Sequence, residues 1–357
     1  MAKVVLGLSG GVDSAVAAIL LRQAGHEVLS VFLSRKSVAK TAADSADLAA
    51  DFRAEESARR AAAELDIPLE VCDIGESLEK FVCREFEREW LAARTPNPCV
   101  ICNPTVKFPA LLAVADKLGA EFIATGHYAR TDFSGGMHRL KKGLADGKIN
   151  ERDQSYMLCR LDNYPLSRII FPLGELSKPA IRALAAQHNI SAASSPDSME
   201  ICFIPDSDYA AWLERRGAVA AHGSFVDEAG NILGTHEGYF KYTVGKRRGL
   251  NLAVGERLFV KAVNPNTNSI TLAKINNMYC SSVNLKDFRW VSVPPKNGSF
   301  ELYAKLRHSK TDIDCTAEVL GRTAVLRFLE PVRLPAPGQF AALYEGDVLV
   351  ASGRITN

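Results

Sequence analysis

Apolar positions in the first 130 residues fall into short unbroken runs separated by longer amphipathic stretches. Val4-Val5-Leu6 is the first run, and residues 26–33, with Val28, Leu29, Val31, Phe32 and Leu33, form a second. Residues 69–71 and 122–125 supply two more. A near-continuous apolar strand is buried on both faces, as in a parallel sheet. Between the runs the period is helical. Residues 15–21 are apolar throughout and residues 44–65 are alanine-rich. In residues 76–94, Leu78, Val82, Phe86 and Trp90 recur every four positions on one face. Strand–helix alternation of this kind predicts a doubly wound α/β sheet. Its ligands should bind beyond the carboxyl ends of the strands, where Ser9, Leu33 and Gly126 should converge. A further helix is expected from Ser177, the N-cap, to about His188, with Pro179 in its first turn.

The pattern changes after residue 205. A helix is predicted over 209–215, and turn signals become frequent from Ser224 onward, as in Glu228-Ala229-Gly230-Asn231, Asn264-Pro265-Asn266 and Pro294-Pro295. Near the end, Phe300, Leu302, Ala304 and Leu306 alternate with period two. Three units are expected: an α/β domain over 1–205, a small mixed module over 206–275, and an antiparallel β-barrel or sandwich, with the barrel preferred, over 276–357.

Composition narrows the class. At 357 residues, 47% hydrophobic and 24% charged, the chain reads as an ordinary globular protein with room for a sizeable core. Lysine and arginine exceed aspartate and glutamate by 43 − 41 = +2, so any basic surface must be local. No unbroken apolar run approaches the roughly 20 residues of a membrane span. Gly10, Gly11 and Asp13 interrupt the apolar N-terminus as a signal peptide would not, so a cytoplasmic protein without a membrane partner is expected. Eight cysteines in such a chain are not a disulfide framework. Cys72, Cys83, Cys159 and Cys315 read as packing residues.

The first candidate chemistry follows the first strand: Gly7-Leu8-Ser9-Gly10-Gly11-Val12-Asp13-Ser14, then a helix. Glycines let backbone approach an anion, Ser9 and Ser14 offer hydroxyls, and the helix start offers unpaired N–H groups. Such a turn holds phosphate. It is not a Walker loop, because no Gly-Lys-Ser/Thr ending is present. The second candidate is Thr95-Pro96-Asn97-Pro98-Cys99-Val100-Ile101-Cys102-Asn103-Pro104. Its prolines stiffen a loop holding a Cys-x-x-Cys pair, and Asn103 and Pro104 fit the N-cap and first position of a following helix, within which Pro109 sits awkwardly. A helix N-terminus nearby would favour thiolates. With no second Cys pair at similar spacing, structural zinc is disfavoured. Cys202 follows in Asp197-Ser198-Met199-Glu200-Ile201-Cys202, and His127 closes the strand ending Ala124-Thr125-Gly126.

The loop at 7–14 resembles the pyrophosphate loop of the N-type ATP pyrophosphatases. Taken with Thr95-Pro96-Asn97-Pro98, Cys102-Asn103, Lys107-Phe108, Ala124 to Tyr128, Asp153-Gln154-Ser155-Tyr156, Phe171-Pro172-Leu173-Gly174, Ile201-Cys202-Phe203-Ile204, Gly245 to Leu250 and Pro337-Gly338-Gln339, the whole chain resembles the MnmA-type tRNA-specific 2-thiouridylases. The resemblance implies an adenine nucleotide alpha hydrolase-like α/β domain, and adenylation of O2 of a tRNA wobble uridine followed by sulfur transfer to C2. It implies ATP bound by Gly7, Leu8, Ser9, Gly10, Gly11, Val12, Asp13, Ser14, Leu33 and Gly126, with Asp13 helping to hold Mg²⁺. Cys202 would carry a persulfide from a cysteine desulfurase or sulfur-relay protein, and Cys102 would release the sulfur by forming a disulfide with it. Asn97, Pro98 and Cys99 would touch the base, while His127, Arg152, Asp153, Gln154, Arg307, His308 and Gln339 would contact the tRNA, with Lys246, Arg247 and Arg248 as further phosphate contacts. A monomer is the expected state.

Two residues depart from the family pattern. Cys99 stands where aspartate is usual, and Arg152 where lysine is usual. Cys99, Cys102 and Cys202 could together ligate a [4Fe–4S] cluster whose free iron holds the attacking hydrosulfide, with free sulfide as donor. The cluster is the preferred expectation and the persulfide the runner-up. Two rivals remain: another ATP pyrophosphatase joining an amine to an adenylated carbonyl, and a non-catalytic tRNA-binding protein.

Overall fold

The computed structural model describes residues 1–36, 45–162, 165–194, 201–204, 206–252 and 255–356. Expectations that rest on Asp197, Ser198 and the helix start at Asp44 lie outside these residues. In chain order, β1 (Lys3–Gly7), α1 (Val12–Gln23), β2 (Glu27–Ser34), α2 (Ser45–Glu64) and β3 (Leu69–Asp73) come first. Helices α3 (Gly75–Leu78), α4 (Arg84–Leu91), α5 (Pro98–Cys102) and α6 (Phe108–Leu118) then precede β4 (Phe122–Ala124). A hairpin, β5 (Ala129–Ser134) and β6 (Met137–Lys142), a small ladder, β7 (Leu144–Ala145) and β8 (Lys148–Ile149), then β9 (Ile169–Ile170) and α7 (Lys178–Gln187) complete the first unit.

Strands β3-β2-β1-β4-β9 form one parallel sheet in that order. Successive side chains of β1 point to opposite faces. Val5 packs with Phe108, Leu111 and Val114 from α6. Val4 and Leu6 pack with Ala15, Ala18 and Ile19 from α1 and Ile181 and Ala185 from α7. Helices therefore cover both faces, which is the doubly wound arrangement. Gly7 pairs with Val31 and Leu6 with Ala124, so the carboxyl ends of β1, β2 and β4 lie side by side.

The cysteine-bearing segment departs from its expected form. The helix begins at Pro98, not after Asn103: Asn97 is its N-cap, its Oδ1 accepting from the Val100 amide at 3.3 Å. Asn103 lies inside the helix, buried, and donates from Nδ2 to the Met157 carbonyl at 2.8 Å. A widened π turn over Asn103–Lys107 joins α5 to α6 and takes up Pro104 and Pro109 without breaking the axis. A second such turn, Glu79–Cys83, links α3 to α4. The stretch Pro98–Leu118 is, by length and mean hydropathy, apolar enough to cross a membrane, although Asn103, Lys107 and Asp116 interrupt its apolar runs. It is a helix on the sheet, its Phe108, Leu111 and Ala115 fully buried.

After α8 (Tyr209–Arg215), a small mixed sheet forms from β10 (His222–Val226), β11 (Ile232–Glu237), β12 (Phe259–Asn264) and β13 (Ser269–Ala273), in the order β11-β10-β13-β12. Six strands follow: β14 (Tyr279–Trp290), β15 (Gly298–Lys305), β16 (Ile313–Leu320), β17 (Thr323–Arg333), β18 (Phe340–Glu345) and β19 (Val348–Ile355). Pairing of β14 with β19 closes them into an antiparallel barrel. Period two works as expected: Cys315, Ala317 and Val319 face the barrel core, while Asp314, Thr316 and Glu318 do not. The β5–β6 hairpin of the α/β unit extends the barrel sheet, with Lys141 opposite Val348.

Candidate functional site

The turn after β1 is a closed cradle. Ser14 Oγ donates to the Gly11 carbonyl at 3.0 Å, and the Ser9 amide donates to Ser14 Oγ at 3.2 Å. Gly10 has φ +80°, and a Cβ there would lie 2.6 Å from backbone atoms of Ser57 and Ala58. Only glycine lets the turn pass so close to α2. At Gly126 a Cβ would stand 3.2 Å from the backbone of Asp13 and Ser14, which brings the end of β4 against the loop. Leu33 lies near the end of β2, opposite Cys72 in β3.

Asp13 is not free. Its Oδ1 accepts from Tyr128 Oη at 2.6 Å and from Lys178 Nζ at 2.8 Å, and its Oδ2 from Lys178 Nζ at 2.9 Å. A divalent cation on Asp13 would compete with the Lys178 ammonium for the carboxylate. The loop thus fits a metal where the two charges share or exchange that group. Lys178 was legible merely as a helix start, because the residue it meets is 165 positions away in sequence.

The cysteines sit beside this cradle. Cys102 and the turn bearing Cys202 pack on one apolar cluster, which also includes Leu33, Ile101, Ile201, Phe203 and Ile204. Phe203 and Ile204 are buried and hold the turn, Phe203 lying edge-on to Phe86 with ring centroids 5.5 Å apart. Cys202 itself is exposed. Arg35, just past the end of β2, lies close enough to Cys202 to interact with it electrostatically and donates from Nε to Asp51 Oδ1 at 2.9 Å. Asp51 is buried and also accepts from Ser34 Oγ at 2.7 Å. Burial alone would lower the Arg35 pKa, but Cys202 and Asp51 outweigh it and the net shift is upward. Arg35 therefore stays a cation beside the thiol. Its place beyond a strand's carboxyl end was the available sequence signal.

Cys99 and Cys102 lie in the first turns of the helix, where stabilised thiolates were expected. The reverse holds. Burial among protein atoms pushes Cys102 up to about 12, Lys107 opposes it, and Cys202 and Cys99 add to it. Cys99 touches solvent, yet surrounding protein raises its pKa as well, with Cys202 adding and Lys107 opposing. Desolvation of the anion outweighs the helix terminus. These couplings bring the three thiols into one neighbourhood. Among the described residues, however, no three Cys, His, Asp or Glu side chains are arranged to hold a metal ion. The donor set expected for a cluster is not assembled in this arrangement. Cys83, Cys159 and Cys315 are buried as anticipated, whereas Cys72 is only half-buried.

The remaining predicted residues divide into surface and scaffold. Arg152, Arg307 and His308 are exposed, His308 Nε2 lying 3.2 Å from the Asp153 carbonyl oxygen. The Asp153 carboxylate is turned inward: it accepts from Lys305 Nζ at 3.0 Å and from the Gly143 and Ser155 amides, with both charged side chains nearly inaccessible. The carboxylate therefore serves the scaffold, and any contact of Asp153 with tRNA would fall to its backbone. Gln154 Oε1 accepts from the Tyr128 amide. Gln339 Nε2 donates to the Thr95 carbonyl at 2.9 Å, and the Thr95 amide donates to the Pro337 carbonyl at 2.7 Å, so the barrel holds the loop entering α5. Asn97 caps α5, Pro98 is buried, and Cys99 faces solvent. His127 is half-open, with Nδ1 2.7 Å from Thr125 Oγ1. Burial and then Lys107 depress its pKa, so the ring is neutral at pH 7. Lys246 donates to the Lys241 carbonyl and packs over Tyr242, which leaves Arg247 and Arg248 as the exposed pair.

Three family models match successive stretches: a tRNA methyl transferase HUP domain over residues 2–206, a tRNA methyl transferase PRC-barrel domain over 210–274, and an aminomethyltransferase beta-barrel domain over 281–355. A tRNA-specific 2-thiouridylase MnmA of Chlorobium luteolum is 39% identical over 99% of this chain and 96% of its own. That of Geobacter metallireducens is 38% identical over the same shares. A 4-thiouridine synthetase–RNA complex with bound ATP aligns at a TM-score of 0.36 and 19% identity, over 60% of this chain and 50% of that one, too slight a likeness to argue from.

Proposed function

The chain belongs to the MnmA family of tRNA-specific 2-thiouridylases, tRNA sulfurtransferases, and from that premise we propose how this site carries out the reaction. The uridine O2 attacks the α-phosphorus of ATP held on the 7–14 loop. Pyrophosphate leaves, and O2 becomes a good leaving group as an AMP ester. The terminal sulfur of a persulfide on Cys202 attacks C2, and AMP departs with the C2–O2 bond. The Cys102 thiolate then attacks Cys202 Sγ, the S–S bond to the transferred sulfur breaks, and a Cys102–Cys202 disulfide remains. An external thiol reductant restores both thiols. Mg²⁺ held by Asp13 would supply charge neutralisation on the phosphates.

The observation that supports covalent carriage is the pairing of Cys102 and the Cys202 turn on one cluster with Leu33, with the Arg35 guanidinium near Cys202. No step is routed through an iron–sulfur cluster, because the thiols are not arranged as a ligand set. Cys99 then has the lesser part of an exposed thiol next to the base. The relatives' name, rather than the methyl transfer in the family models' description, agrees with this chemistry. The sulfur donor is a cysteine desulfurase or sulfur-relay protein, and one cytoplasmic chain serves one tRNA.

The test supplies purified protein with ATP, an unmodified tRNA transcript and a persulfide donor. AMP, pyrophosphate and 2-thiouridine should form in equal amounts. In Cys102→Ser and Cys202→Ser, pyrophosphate should still form while thiolation stops. Thiolation that survives loss of both thiols contradicts the scheme.

A further inference from the structure

The phosphate loop lacks something that other phosphate loops carry within themselves. Residues 7–14 include no cation and one carboxylate, Asp13. An anion brought against that carboxylate is repelled until positive charge offsets it. The structure supplies the charge from another helix. Lys178 is the first residue of α7, set there by the Ser177 cap, and α7 packs against α1 through Ile181 and Ala185. Its Nζ bridges both oxygens of Asp13 and lies 6.0 Å from the Tyr128 ring. The pair is half-open: the Lys178 side chain is 12% exposed and Asp13 34%.

We propose that Lys178 is a nucleotide-phosphate ligand that Asp13 holds in place until a divalent cation takes the carboxylate. This rests on the ATP reading above. Before nucleotide arrives, the ion pair satisfies both charges. When the metal–nucleotide complex enters, Asp13 exchanges the ammonium for the metal. Lys178, on its flexible four-carbon stem, then turns to a phosphate oxygen within a few ångströms of where it stood. Asp13 thus makes phosphate binding conditional on the metal: without it, Lys178 is held by the carboxylate and the pair offers an incoming anion no net positive charge. Tyr128 Oη, which donates to the same Oδ1, keeps the carboxylate in place during the exchange.

The test is equilibrium binding of ATP and of inorganic pyrophosphate to the full chain, in Mg²⁺ and in EDTA, with thermal melting and tRNA binding as folding checks. Lys178→Gln should weaken binding in Mg²⁺ by about tenfold or more, the size of one charge-assisted contact. Lys178→Arg should keep most of it. Asp13→Asn should bind metal-free pyrophosphate about tenfold more tightly than the wild type, because the ammonium is released to the anion. It should also lose the Mg²⁺ dependence. A merely structural ion pair predicts no such gain. Wild-type affinity in Lys178→Gln, or no gain in Asp13→Asn, overturns the proposal while leaving ATP binding intact. Wild-type protein that binds neither probe in either buffer overturns the ATP reading and this proposal with it.

Discussion

Cys102 and Cys202 share one apolar cluster but are held in opposite ways. Cys102 is inside a helix clamped from several directions. Asn97 caps it, Asn103 bonds Met157, and Gln339 and Pro337 of the barrel grip the residues just before it. The loop that carries Met157 is in turn fixed by Asp153, whose carboxylate is buried against Lys305 of β15. Cys202 stands on a short turn at the surface, anchored by Phe203 and Ile204 beneath it, with Arg35 from just past β2 nearby. The difference suits the two tasks proposed for them. A thiol that must accept sulfur from a partner protein has to be reachable. A thiol that only resolves an intermediate is better half-buried, as Cys102 is, and unreactive until the intermediate is beside it.

The largest effect that would break this comparison is on activity. Cys202→Ser and Cys102→Ser should each reduce thiolation to background, and the double variant should fall no further, since the two act as a unit. Only Cys202→Ser should lose the donor-derived persulfide, read by mass spectrometry of the trypsin-digested protein. Next comes the clamp. Lys305→Ala leaves the Asp153 carboxylate buried without its partner, and should cost about 3–5 kcal/mol in denaturant unfolding. Phe203→Ala should cost about as much by opening a cavity under the Cys202 turn. It should raise the exposure of Cys202 and leave alkylation of Cys102 unchanged.

A third prediction uses pH. With Cys102 pushed up to about 12, its thiolate is scarce at neutrality. Its alkylation by iodoacetamide should be slow at pH 7.5 and rise about tenfold per pH unit toward that value. A rate that levels off near pH 8.5 would mean the thiol is not desolvated. The smallest effect is the cap: Asn97→Ala should lower stability by about 1 kcal/mol. It should slow sulfur release more than adenylation, because it loosens the helix that bears Cys102 and not the cradle.

What the sequence revealed depends on how local each feature is. The cradle is eight consecutive residues between a strand and a helix, so its residue types and spacing carried the whole signal. The barrel was legible through period two, because each strand buries one face. The start of the cysteine helix was misplaced, since two asparagine–proline pairs, Asn97-Pro98 and Asn103-Pro104, fit the same cap rule and only tertiary contacts decide between them. The π turn that lets the helix run through Pro104 and Pro109 has no residue signature of its own. Long-range pairings were invisible: Asp13 with Lys178, Cys202 with Arg35, Asp153 with Lys305, and the β5–β6 hairpin with the barrel. The helix-terminus argument for reactive thiols failed because burial outweighs it, and burial is a property of the assembled fold.

The central claim is that sulfur travels covalently from Cys202, with Cys102 as its resolving partner. It is tested most directly on protein purified without oxygen, loaded with a persulfide donor and taken through one turnover with ATP and tRNA. Iron and acid-labile sulfide are measured alongside the masses of the two cysteine peptides. The account predicts no stoichiometric iron, one extra sulfur on Cys202 before turnover, and a Cys102–Cys202 disulfide after it. About four irons per chain, with Cys202 unmodified and iron lost in Cys99→Ala, would contradict it and place the attacking sulfur on a cluster.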